Sequence, residues 1–103
     1  STNNVAWHDP YVDKWDDYPD IEKIHEISNI KHYDLIILAV RHELYLNIDA
    51  NEWIKNTQKN ILFYDANNIL NDSCIYKIID SGRNVKGLGK GHLNNLVNEK
   101  NIE

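Results

Sequence analysis

Short apolar blocks alternate with polar breaks along this chain, and the period inside the blocks changes from one to the next. The most decisive block is "LIILAV", six consecutive aliphatic residues from Leu35 to Val40 with no polar alternation. Such a run suits a strand covered on both faces, the signature of a parallel sheet under helices. "ILFYD", Ile61 to Asp65, reads as a second strand of the same kind, and "NVKGLG", Asn84 to Gly89, as a short last strand ending in glycines. Near the start, Val5 to Trp7 is a β-prone run halted at Asp9-Pro10, because proline removes a ladder donor and pushes the residue before it toward an extended conformation.

Between these runs the spacing becomes helical. From Asp20, Ile21, Ile24 and Ile27 recur three apart with charges between them, which predicts a short amphipathic helix capped by Asp20. In "NIDANEWIKNTQKN" Asp49 is an N-cap with Glu52 three residues on, and the helix it opens buries Trp53 and Ile54. "DSCIYKIIDSG" reads as a helix closed by Gly82. The tail from 92 to 103 carries weak helical spacing at Leu93 and Leu96. Strands alternating with helices predict a single α/β domain over 1–103, a three-layer, mostly parallel, Rossmann-like sheet.

Composition narrows the function classes. Of 103 residues, 42% are hydrophobic and 26% charged, too apolar for a disordered chain. The formal net charge of -5, with no Lys/Arg cluster, argues against a nucleic-acid surface. The one cysteine, Cys74, rules out an internal disulfide and a cysteine-based zinc site, and fits a reducing compartment. No apolar run approaches the roughly 20 residues that span a bilayer, and "STNNVAWHDP" lacks the basic and apolar regions of a signal peptide. No membrane partner is expected, and the cytoplasm is the expected compartment.

In open parallel sheets, ligands lie outside the carboxyl ends of the strands. Those ends are His8-Asp9-Pro10, Arg41-His42, Asp65-Ala66-Asn67-Asn68 and Gly89-Lys90-Gly91. Parallel strands would bring all four to one edge, where Arg41 and Lys90 face an anion and the amides face a ring or sugar. The expected ligand is a phosphate-bearing small molecule, and the expected contact residues are Arg41, His42, Asn67, Asn68 and Lys90. Each such residue is also ordinary at a strand end, as a helix cap or a solvated loop group.

Other motifs carry less. "GLGKG" lacks the spacing of a phosphate loop and of a dinucleotide fingerprint. His8, Asp9, Asp13, Asp16, Asp17 and His25 lack the defined oxygen spacing of a hard-metal loop. Cys74 has no activating His or Lys close in sequence and reads as a small buried thiol. No catalytic constellation is complete.

The segments "VAWHDPYVD", "YDLIILAVRHELY", "ILFYDANNIL" and "VKGLGKG", taken in order, resemble the carboxy-terminal domain of the UDP-glucose/GDP-mannose dehydrogenase family. The nearest branch is the bacterial one that oxidises UDP-N-acetylhexosamines for surface polysaccharide. The likeness spans about 5–91. It implies a UDP-sugar-binding domain of an NAD-dependent oxidoreductase that is not catalytic alone: the NAD domain and the region with the catalytic cysteine and lysine lie outside this chain, so no cofactor is expected to bind it by itself.

Two departures bear on that implication. The family domain opens with a further strand and helix, whose loop carries a substrate-contacting lysine and a cofactor-contacting arginine, and this sequence starts after them. The missing strand belongs between the strands of "VAWHD" and "LIILAV", so the resemblance implies an incomplete sheet and pairing in a homodimer or with the rest of the parent enzyme. In the position after Asp65-Ala66 the family usually has a basic residue, and here it is Asn67. That favours an alternative, a non-catalytic interaction or assembly module that kept the fold core.

Overall fold

The computed structural model describes residues 5–28 and 30–88. Its elements follow the order β1 (Ala6–Trp7), β2 (Glu22–Lys23), β3 (Leu35–Leu38), α1 (Glu43–Leu46), α2 (Ala50–Lys55), β4 (Leu62–Asp65), α3 (Asp72–Asp80) and β5 (Asn84–Gly87). Strands β3, β4 and β5 form one sheet in that order, and β1 and β2 a separate two-stranded one. Every pairing is parallel. The α/β, parallel, Rossmann-like class read from the sequence is the one that folds.

The core belongs to β4, the two longer helices and what they cover. Ile61, Phe63, Ile75 and Ile78 have no exposed surface, and Trp53 is 2% exposed. The Trp53 and Phe63 rings meet edge to face at 5.6 Å, a geometry aromatic pairs prefer. Each helix opens on a local acceptor. Asp49 accepts from the Asn51 N–H at 3.0 Å, and Asn71 from the Cys74 N–H at 2.8 Å. At the end of α3 the chain turns through Gly82 at φ 96, a left-handed backbone that favours glycine. Arg83 then points back inward. Its guanidinium donates to Thr57 Oγ1, Ser81 Oγ and the carbonyls of Ile54 and Thr57, tying the end of α2 to the α3–β5 turn.

Three expectations are corrected. Asp20 caps no helix: Glu22–Lys23 is a strand, and the Ile24 N–H donates to the Trp7 carbonyl at 2.7 Å. Isoleucine is stiff at χ1 and fits a pleated surface better than a helix, so pairing with β1 prevails over the three-residue spacing. Secondly, "LIILAV" is not covered on both faces. Leu35 and Ile37 are 48% and 61% exposed, because β3 is the outer strand of its sheet. Thirdly, "ILFYD" is central yet only half-buried on the face of Leu62 and Tyr64. The 92–103 tail lies outside the described residues.

Candidate functional site at the carboxyl ends of the strands

Asp65 organises the loop after β4. Its carboxylate, with no exposed surface, accepts the N–H groups of Asn67, Ile69 and Leu70 at 3.2, 2.9 and 2.8 Å. This folds the chain tightly and sets Asn68 at φ 57, a left-handed conformation that asparagine adopts more readily than most residues. The abrupt acid and amides at the end of an apolar strand are thus a turn device first.

That turn is tied to the loop after β3. The Asn67 Nδ2 donates to the Ala39 carbonyl at 3.4 Å, and the Arg41 Nη1 donates to the Asn68 carbonyl at 2.6 Å. The other Arg41 donors have no hydrogen-bond partner among the described residues, and the side chain is exposed. His42 caps α1, its Nδ1 accepting the Leu44 N–H at 3.0 Å. In the neutral ring that leaves the proton on Nε2, as a donor.

The end of β1 reaches the same place. The Tyr11 ring lies 4.4 Å from that of His42. Tyr45, on α1, donates its hydroxyl to the His8 carbonyl at 2.9 Å and sits 2.7 Å from His8 Nδ1. Loss of water pushes the Tyr45 hydroxyl up to about 12, with a smaller push from the Asp9 charge. Burial likewise holds the His8 imidazole below its usual value. Asp9 accepts the N–H groups of Tyr11 and Val12 at 2.8 and 3.1 Å, and the Tyr11 bond foremost keeps its carboxyl below the usual range.

The structure therefore brings Arg41, His42, Asn67 and Asn68 to one edge, together with His8 and Asp9. Lys90 lies outside the described residues. What the sequence reading missed is Tyr45, and Tyr11, each of which packs its ring on His42. The only signal is that Tyr45 follows His42 by three positions, the spacing that shares a helix face; its partner His8 lies 37 residues away.

Two hollows flank His8. One, of about 320 Å³, lies toward α1 and α2 and includes His25, Glu52 and Trp53 in its walls. The other, of about 630 Å³, is a groove between β1 and β3. Trp53 borders both, and its Nε1 is the one buried side-chain donor without a partner among the described residues.

The edge offers a guanidinium, an imidazole N–H and an amide. Burial, above all, pushes the Cys74 thiol up, away from the reactive thiolate. No group of three or more His, Cys, Asp or Glu side chains among the described residues is placed to hold a metal ion. No helix among the described residues is long and apolar enough to cross a membrane. Comparison with protein-family models, curated proteins and solved structures finds no match.

Proposed function

We propose that this chain is the UDP-sugar-binding part of an NAD-dependent UDP-sugar 6-dehydrogenase, acting in the bacterial cytoplasm in surface polysaccharide synthesis. The observation that supports this reading is the convergence of Arg41, His42, Asn67 and Asn68 at the carboxyl ends of β3 and β4. Arg41 neutralises the diphosphate through the donors that Asn68 leaves free, and His42 Nε2 and the Asn67 amide hydrogen-bond the sugar or base. Asn68 shapes the loop, and Lys90, outside the described residues, is assigned as a second cation from the sequence alone. NAD and the reacting cysteine belong to other parts of the parent enzyme; these residues bind and orient, and carry out no oxidation.

Titration with UDP, followed by backbone amide shifts, tests the assignment. Perturbation centred on Arg41, His42, Asn67 and Asn68 is expected. Arg41→Ala should weaken binding about tenfold or more, since a hydrogen bond to a charged group contributes ~1.5–3 kcal/mol. An absence of shifts at millimolar UDP would sink the reading.

A second reading, an assembly module without a ligand, is favoured by the open edge of β3 and by Asn67 in place of a cation. In that case the chain pairs with a second copy or with the rest of its parent enzyme, and UDP leaves every amide unmoved.

A further inference from the structure

The connection between β1 and β2 concentrates the charge of the whole chain. From Asp9 to Lys23 six carboxylates stand against the two cations Lys14 and Lys23, a net -4 that leaves only -1 for the rest of the sequence. The negative field therefore has one main source. Two of its acids are engaged locally: Asp9 accepts the N–H groups of Tyr11 and Val12, and Asp13 lies 3.8 Å from the Lys23 ammonium. Asp16, Asp17 and Asp20 remain on the exposed stretch 11–20, with Lys14 as its one cation.

These acids alternate with rings. Trp7, Trp15 and Tyr18 form a continuous row, with centroids 6.1 and 4.7 Å apart and successive planes at 74° and 64°. Trp7 is half-buried on β1, but Trp15 and Tyr18 are 41% and 54% exposed. The row is held by the backbone. The Tyr18 N–H donates to the Trp15 carbonyl at 3.0 Å, the Ile21 N–H to the Tyr18 carbonyl at 3.2 Å, and the Trp7 Nε1 to the Ile21 carbonyl at 3.2 Å. Large rings kept in solvent on an ordered loop have the character of interface anchors, already organised before a partner arrives.

Lys23 shows what such a surface takes. Its ammonium lies 5.2 Å from the centroid of the Trp7 ring, donates to the Val12 carbonyl at 2.6 Å and faces Asp13, and its side chain is only 16% exposed. A cation on a ring face beside a carboxylate is thus part of the fold at the inner end of the row. The outer end, Trp15 and Tyr18 with Asp16 and Asp17 between them, repeats the ring and carboxylate without a cation over either ring among the described residues. A second copy of this chain, at -5, carries the wrong sign for it. Arginine suits it better than lysine, because a planar guanidinium both stacks on a ring and forks to a carboxylate.

We infer that Trp15 and Tyr18, with Asp16, Asp17 and Asp20, form a docking surface for a basic, arginine-bearing segment of another protein. The rings give the contact area, and the carboxylates select the sign of the partner and steer its approach.

The probe is the acetylated, amidated pentapeptide Arg-Gly-Arg-Gly-Arg, added to the full chain without UDP, so its outcome is separate from that of the UDP titration. Indole and backbone N–H resonances are the readout. The Trp15 indole and the amides of 13–20 should shift, and the buried Trp53 indole should not. Citrulline in place of every arginine keeps the shape and removes the charge, and should abolish the shifts; lysine should bind several-fold more weakly. Trp15→Ala and Tyr18→Ala, followed at the backbone amides, should each weaken binding about two- to fivefold. Asp16→Asn with Asp17→Asn should weaken it as well. Should a ring variant not fold, the carboxylate pair and the citrulline peptide decide. The inference is overturned by no Trp15 shift at millimolar peptide, by an equal response to citrulline, or by an affinity that both ring variants leave unchanged, which would reduce the effect to general attraction between charges. It is also overturned if a neutral oligosaccharide moves the Trp15 indole as strongly as the peptide does.

Discussion

Replacing Asp65 with alanine removes the acceptor for three backbone N–H groups at once. Asn67 is exposed, so water can take over its N–H, but Ile69 and Leu70 are buried at 5% and 4% exposure. Two donors are therefore stranded. An unmet buried donor costs about 1–3 kcal/mol, so Asp65→Ala should cost ~2–6 kcal/mol, reduced somewhat because a buried carboxylate is itself expensive to desolvate. Against a total of ~5–15 kcal/mol for an ordinary domain, that is a large share. Asp65→Asn keeps one oxygen and presents an NH2 to at least one donor, and should lose about half as much. Urea unfolding followed by far-UV circular dichroism measures both, with the slope against urea checked for constancy. A loss under about 0.5 kcal/mol for alanine, or equal losses for the two variants, would refute the idea that paired acceptor oxygens hold this turn.

Arg83→Ala should cost about 2–4 kcal/mol by the same assay, because it strands the buried carbonyl of Thr57 and unties α2 from the α3–β5 turn; lysine, with no planar fork, should recover only part. Acidification should weaken the fold in two windows. With its folded value depressed by burial, His8 contributes stability that is complete above 6.5 and lost as pH falls from there through the folded value. The Asp9 contribution is lost only below 3.8. His8→Asn should flatten the upper window alone, and a His8 titration at or above 6.5 by NMR would contradict this. Cys74 should react with a disulfide reagent at pH 8 several-fold more slowly than the thiol of a short peptide, and equal rates would remove the burial argument.

The legible parts of the fold are those whose local chemistry agrees with their packing. Asp49 caps a helix, Gly82 ends one, and the apolar runs are strands; each is decided by neighbours within a turn or two. Ile21, Ile24 and Ile27 misled because three-residue spacing is blind to Trp7, whose carbonyl lies ready to receive the Ile24 N–H. Leu35 and Ile37 misled differently. Apolar residues announce that a strand should be covered and carry no information about whether the covering element is in the same chain. The edge around Arg41 was legible because parallel topology alone collects the strand ends. Tyr45 was not, since its partner His8 lies 37 residues away, and neither was Arg83, whose four acceptors are set around it by the end of α2 and the α3–β5 turn.

The all-parallel pairing also sets the order in which the chain assembles. No hairpin joins the strands among the described residues, so each of these ladders waits for a crossover to close, and the closure entropy must be met by whatever that crossover buries. The α3 crossover from β4 to β5 brings in Ile75, Ile78 and Val85, all buried, and is rewarded as it closes. The crossover from β1 to β2 secures two residues on each strand and an exposed loop between them. Nucleation therefore belongs to the β4–α3–β5 unit, while the β1–β2 layer joins last and opens first, so that the groove it shares with β3 is shaped at the least persistent boundary of the native state.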